Sequence, residues 1–164
     1  MGQARIGSAG RRASRIVTGV PELDRLIELM ARAGRFSLTL KVDDGEPEAE
    51  VDAAGVELGD ALRKPLRAAR AHGHGFGMMP AEEALATVVV EVSEKPLVVA
   101  NVDLAEFHLG GLEADMSRRF LDALARAAGL TIHVRLVEGE ETQHVADAIF
   151  KALGVALADA GATT

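Results

Sequence analysis

Apolar residues recur along this chain at two spacings, and the switch between them marks out its elements. Between positions 22 and 34, Leu23, Leu26, Ile27 and Met30 fall at i, i+3, i+4 and i+7, one face of a helix, and Gly34 supplies a stop signal. The period then shortens to two: over 35–42, Phe36, Leu38, Leu40 and Val42 share one face of a strand. A polar, acidic turn at Asp43–Glu50 follows. Helical spacing returns from Val51 through Ala54, Leu58, Ala61, Leu62 and Leu66, with Pro65 bending or ending the helix. The stretch from Arg67 to Pro80 holds three Gly and two His and reads as a loop. Strands fit 84–92 and 96–104. A helix over 113–128 turns Met116, Phe120, Ala123, Leu124 and Ala127 inward. A strand over 130–137 places Leu130, Ile132, Val134 and Leu136 on one face. A last helix runs over 143–160 through Val145, Ala148, Ile149, Ala152, Leu153 and Ala156.

Part of this order is a repeat. A shift of 95 carries Asp52, Ala53, Leu58, Gly59, Ala61 and Leu62 onto identical residues at Asp147, Ala148, Leu153, Gly154, Ala156 and Leu157. A shift of 94 carries Arg25 onto Arg119. Six identities in one helix at one shift indicate an internal duplication. Each half offers two amphipathic helices and strands, and a sheet buries its apolar side under helices. The expected fold is therefore α+β: one structural domain of two duplicated halves, with a four-helix layer between two small mixed sheets. The divisions are a short basic arm over 1–17, a first half over 18–105, a partial repeat over 106–160 and a tail over 161–164.

Composition narrows the chemistry. With 164 residues, 48% hydrophobic and 26% charged, the chain has enough apolar material for one filled interior. The net charge of −7 excludes a general nucleic-acid binder. Arg5, Arg11, Arg12 and Arg15 face no acidic residue in the first 15 positions, and a frayed, solvated terminus is expected there. The absence of cysteine excludes disulfides, thiolate metal sites and cysteine nucleophiles. No apolar run is long enough for a membrane span, and the N-terminus lacks a signal peptide's apolar core, so a cytoplasmic location is expected. No Ser/His/Asp arrangement, phosphate-cradling glycine loop or dinucleotide fingerprint appears.

Several separated segments resemble one family. They are Thr18-Gly19-Val20-Pro21-Glu22-Leu23-Asp24, Ala31-Arg32-Ala33-Gly34-Arg35-Phe36, Glu82-Glu83-Ala84-Leu85-Ala86, His133-Val134-Arg135-Leu136 and Phe150-Lys151-Ala152-Leu153. From about Thr18 to Ala160 the chain resembles the imidazole glycerol-phosphate dehydratases of histidine biosynthesis, whose fold is of the ribosomal S5 domain 2-like type and is itself duplicated. The resemblance implies hydro-lyase chemistry on two manganese ions. Each ion is held by His and Glu side chains from both halves and from neighbouring subunits, in trimers that assemble into a 24-subunit shell. The family pattern in each half is one His on the first helix, then His-His-x-x-Glu where the second helix begins.

This chain departs from that pattern. Arg25 and Arg119 stand at the first-helix histidines. The two later motifs read Glu48-Ala49-Glu50-Val51-Asp52 and Gln143-His144-Val145-Ala146-Asp147. Of the six histidine ligands only His144 remains, and both glutamates are replaced, by Asp52 and Asp147. Arginine keeps its proton and cannot ligate a cation. At the family's phosphate positions stand Gly73 and Lys95, the latter within Ser93-Glu94-Lys95-Pro96, and the family's C-terminal tail and full N-terminal strand are expected to be missing.

The expectation is a non-catalytic paralogue acting as an assembly or ligand-binding subunit, with no cofactor; the alternative is an active dehydratase with an altered site, which would need manganese. Partners expected are further copies of the chain or an active paralogue, or a small anionic metabolite held by Arg25, Arg119 and Lys95, with Ser93, Glu48 and Asp52 nearby. Ion pairing of the two arginines with Asp52, Asp147 or Glu48 is favoured over anion binding, because unpaired buried charge is costly. His144 and Asp147 form at most a vestigial metal pair; the plainer reading is a helix-dipole contact for Asp147 and an ordinary hydrogen bond for His144. His72 and His74 read as loop residues, His133 as structural, His108 as lying near a turn, and Glu82 and Glu83 as solvent-facing.

Overall fold

The computed structural model describes residues 2–8, 13–106, 113 and 115–163. In chain order these form β1 (Gln3–Ser8), β2 (Arg15–Val17), α1 (Pro21–Ala33), β3 (Phe36–Lys41), α2 (Pro47–Leu66), β4 (His74–Ala81), β5 (Ala84–Val92), β6 (Leu97–Ala100), a 3-10 turn (Leu104–Glu106), α3 (Met116–Ala128), β7 (Leu130–Glu138) and α4 (Thr142–Gly161). The strands make two sheets, ordered β1-β3-β2 and β4-β5-β7-β6. Helices α1 and α2 pack on the first sheet and α3 and α4 on the second, while α1 meets α4 and α2 meets α3. The result is the expected four-helix layer between two sheets.

The duplication is visible in strand pairing. In the first sheet β1 runs antiparallel and β2 parallel to β3; in the second β5 runs antiparallel and β6 parallel to β7. Strand β4 is an addition at the edge. Strands β4–β6, grouped above with the first half, thus hydrogen bond into the sheet of the second.

The repeated helix identities have a packing reason. Gly154 of α4 lies so close to α1 that a Cβ there would sit 1.9 Å from the Met30 carbonyl oxygen. At its counterpart, Gly59 of α2, a Cβ would come to 2.9 Å from the carbonyl oxygen of Leu124, the residue one repeat on from Met30. The same glycine contact therefore closes both helix crossings. Around them Leu23, Leu26, Ile27, Met30, Leu58, Phe120, Leu124, Ile149 and Phe150 are buried, and the rings of Phe120 and Phe150 stack at 5.8 Å. Each such side chain contributes roughly 1.5–3 kcal/mol on leaving water.

Four expectations are corrected. Residues 74–80 are not a loop but most of β4. Its glycines point inward, where a Cβ on Gly75 or Gly77 would lie 1.9 and 2.2 Å from the α4 carbonyl oxygens of Ala156 and Ala152, while His74, Phe76 and Met78 face out. Glycine in a strand here marks close backbone approach rather than a break. Residues 3–8 and 15–17 are not frayed: β1 pairs along the whole of β3, with Ala4 and Ile6 packed on the core and Arg5 exposed. Arg11, Arg12 and His108 lie outside the described residues. The strand expected over 96–104 ends at Ala100, and the helix expected from 113 begins at Met116.

Candidate functional site

The turn that launches α1 is tied by its own residues. The Thr18 amide donates to Asp24 Oδ1 at 2.9 Å and the Thr18 hydroxyl donates to the same oxygen, which pins the Thr-Gly turn to the helix. Gly19 has φ +89 and faces the Glu50 carboxylate, which occupies the space a Cβ would need. This orients α1 so that Leu23, Leu26 and Ile27 are buried and Arg25 stands at the edge of the layer.

Because α1 crosses α4, Arg25 meets Asp147. Its Nη2 donates to Asp147 Oδ1 at 2.7 Å and its Nη1 to Oδ2 at 3.3 Å, a two-pronged ion pair. Nη2 and Nε also donate to Glu22 Oε1, at 2.6 and 3.0 Å. Hydrogen bonds to Glu22 first and Asp147 second hold the Arg25 pKa well above its ordinary range, so the guanidinium stays charged. Because α2 crosses α3, Arg119 meets Asp52 in the same way, with Nη2 to Oδ2 at 2.7 Å and Nε to Oδ1 at 3.3 Å. Its pKa is raised chiefly by the hydrogen bond and charge of Asp52, with smaller contributions from the charges of Glu48 and Asp115.

The two pairs are related by the repeat. Arginine on the first helix of one half binds aspartate on the second helix of the other half, and the exchange runs both ways. Among the described residues these four are the candidate site residues that meet across the two halves. Glu48 is exposed and acts on Arg119 through charge alone. His144 Nδ1 lies 2.5 Å from Glu83 Oε1 at the β4–β5 turn, a short contact between an imidazole and a carboxylate. That bond, before burial opposes it, raises the His144 pKa. Glu83 is solvent-facing as well as paired: it is exposed and holds the His144 ring at the surface. Ser93 and Lys95 sit on the β5–β6 connection, where the Lys95 amide donates to Ser93 Oγ at 3.0 Å, and neither hydrogen bonds to Arg25 or Arg119.

Beside the Arg25 pair lies an open pocket of about 700 Å³ whose walls include Leu29, Glu82, Gln143, His144, Asp147 and Lys151. Lys151 Nζ donates to the carbonyl of Pro80, which also lines the pocket, at 2.7 Å. Glu22, Glu83 and Lys151 were not foreseen as site residues. Glu22 was legible from its i, i+3 spacing to Arg25. Glu83 and Lys151 carry no local signal, because their partners are 61 and 71 positions away.

Comparison with known proteins agrees with this architecture. The family model described as imidazoleglycerol-phosphate dehydratase matches residues 18–157. The dehydratase of Methanocella arvoryzae is 36% identical over 160 residues, covering 93% of this chain and 81% of that protein. That of Limosilactobacillus fermentum is 37% identical over 149 residues, covering 88% and 77%. The chain belongs to the imidazoleglycerol-phosphate dehydratase family. The crystal structure of the Staphylococcus aureus dehydratase superposes with a TM-score of 0.88 at 28% identity, covering all of this chain and 95% of that one. The Pyrococcus furiosus dehydratase, in complex with (S)-C348, gives 0.82 at 27% identity, covering 99% and 89%.

The family resemblance implies manganese, and the side chains of one chain do not fit it. Among the described residues no three His, Asp or Glu side chains converge as a ligand set. Asp52 and Asp147 are each engaged by a guanidinium, which repels a cation placed beside it. Among the described residues no helix is long and apolar enough to cross a membrane.

Proposed function

We propose that this chain keeps the dehydratase scaffold but acts without two-metal elimination chemistry, as a non-catalytic assembly or ligand-binding subunit. The carrying observation is the pair of crossed ion pairs, Arg25–Asp147 and Arg119–Asp52, at both repeat-related positions. A divalent ion entering either position would have to displace a two-pronged guanidinium and then tolerate its charge. An assembly role draws support from the outer face of the four-stranded sheet, where Phe76, Met78, Val89, Leu97 and Val99 are each 40% exposed or more. Such a patch fits further copies of this chain, or an active dehydratase subunit, in the trimer-based shell that the resemblance implies. The remaining ligand class is a small phosphorylated or acidic metabolite.

A second reading has direct support from the relatives, which at 33–37% identity are named as dehydratases. It makes the chain an active lyase of histidine biosynthesis, with His144 and Asp147 completed by donors from neighbouring subunits around manganese. Metal analysis of the purified protein, its oligomeric mass, and turnover of imidazole glycerol phosphate with added manganese separate the two. The first reading expects an oligomer with substoichiometric manganese and no turnover. Turnover that disappears in His144→Ala establishes the second.

A further inference from the structure

We infer that this chain carries an anion-binding groove at the joined ends of α2 and α3, built to take a phosphate group. The groove, about 550 Å³, is lined by Arg63 in the last turn of α2 and Arg67 just past its end, by Arg126 and Gly129 at the end of α3, and by Ser93 and Glu94 of the β5–β6 connection. Three guanidinium groups against one carboxylate is a local reversal of sign on a chain whose net charge is −7. A concave surface of one sign concentrates ions of the other.

Two of the arginines are already held in place. Arg67 Nη1 donates to the Ala128 carbonyl at 2.8 Å and Nη2 to the Gly129 carbonyl at 3.1 Å, while Arg63 Nη1 donates to the Ala127 carbonyl at 3.1 Å. These bonds absorb the negative C-terminal pole of α3, which would otherwise repel an anion. Each guanidinium has five N–H donors, so both keep donors beyond those bonds. Gly129, with φ +69, lets them approach: a Cβ there would lie 2.3 Å from Arg67 Nη2. Among the described residues Arg126 has no hydrogen-bond or ion-pair partner, and it lines the groove. Two anchored forks and a third fork around a concavity suit a tetrahedral oxyanion, which accepts several charge-assisted bonds at once. Neither Gly73 nor Lys95, where the resemblance puts the family's phosphate contacts, lines this groove.

The test is titration of the full-length protein with inorganic phosphate at low, constant ionic strength, followed by calorimetry and by amide NMR shifts of Ser93 and Gly129. Saturable binding is expected at those amides. Arg126→Gln, which removes no helix-capping bond, should weaken it by about fivefold or more, while Glu94→Gln, which removes the opposing charge, should tighten it. Arg32→Gln, which removes a positive charge from an exposed pair outside the groove, should leave it unchanged, which separates a local site from a general charge effect. Absence of saturation up to about 10 mM phosphate, weaker than the millimolar end of the affinity scale, overturns the inference. So does binding that Arg126→Gln leaves intact.

Discussion

Replacing Gly154 with alanine tests the packing that sets both the fold and the Arg25 site. The added Cβ would lie 1.9 Å from the Met30 carbonyl oxygen and 2.7 Å from its carbon, both backbone atoms that cannot rotate away. Reaching an ordinary contact requires α1 and α4 to part by about 1 Å or more, and overpacking of this kind costs about 1–3 kcal/mol or more. Alanine returns up to about 1 kcal/mol through helix propensity. The same separation stretches the 2.7 Å Arg25–Asp147 bond, but with Arg25 36% exposed that loss is under about 1 kcal/mol. The net expectation is destabilisation by roughly 1–3 kcal/mol, and a chain of this size loses about 2–4 °C in Tm per kcal/mol, so a fall of about 3–10 °C. Thermal unfolding by circular dichroism at matched concentration reads it. Gly45→Ala, whose Cβ would meet nothing closer than Ala49 Cβ at 3.9 Å, serves as the control. A Gly154→Ala protein as stable as the parent would refute the close crossing.

Two further outcomes are expected. His144 has a folded pKa above its ordinary 6.5 because it gains Glu83, so the folded state holds the proton more tightly than the unfolded chain. The stabilisation is full below about 6.5 and is lost as pH rises through the folded value, so the gap between parent and Glu83→Gln urea midpoints should close toward alkaline pH; a gap that widens there contradicts the pairing. Asp52→Asn removes the one carboxylate hydrogen bonded to Arg119 among the described residues, whereas Asp147→Asn leaves Arg25 its Glu22. Guanidinium hydrogen-exchange by NMR should therefore speed up more at Arg119 than at Arg25, and equal acceleration would argue against the Glu22 contact.

The helices and most strands were legible because their apolar residues keep one period for several turns, and Leu23–Met30 or Leu130–Val134 bury the face that spacing assigns. The duplication, too, needed no coordinates, since Asp52 and Asp147, Gly59 and Gly154 repeat in register. Glycine misled at β4, where the same residue type that breaks chains also admits a helix backbone at close range. The site divided along similar lines. That Arg25, Arg119, Asp52 and Asp147 replace ligands in a repeating pattern was read from residue identity alone. Which arginine meets which aspartate was not, because partners 122 and 67 positions apart are chosen by the α1–α4 and α2–α3 crossings. Local spacing governs a helix's faces through bonded geometry; only packed layers decide which faces touch, since that choice minimises exposed apolar area over the whole chain. The groove of Arg63, Arg67 and Arg126 belongs wholly to that second kind of information, for its three cations come from two helix ends that the sequence keeps some 60 residues apart.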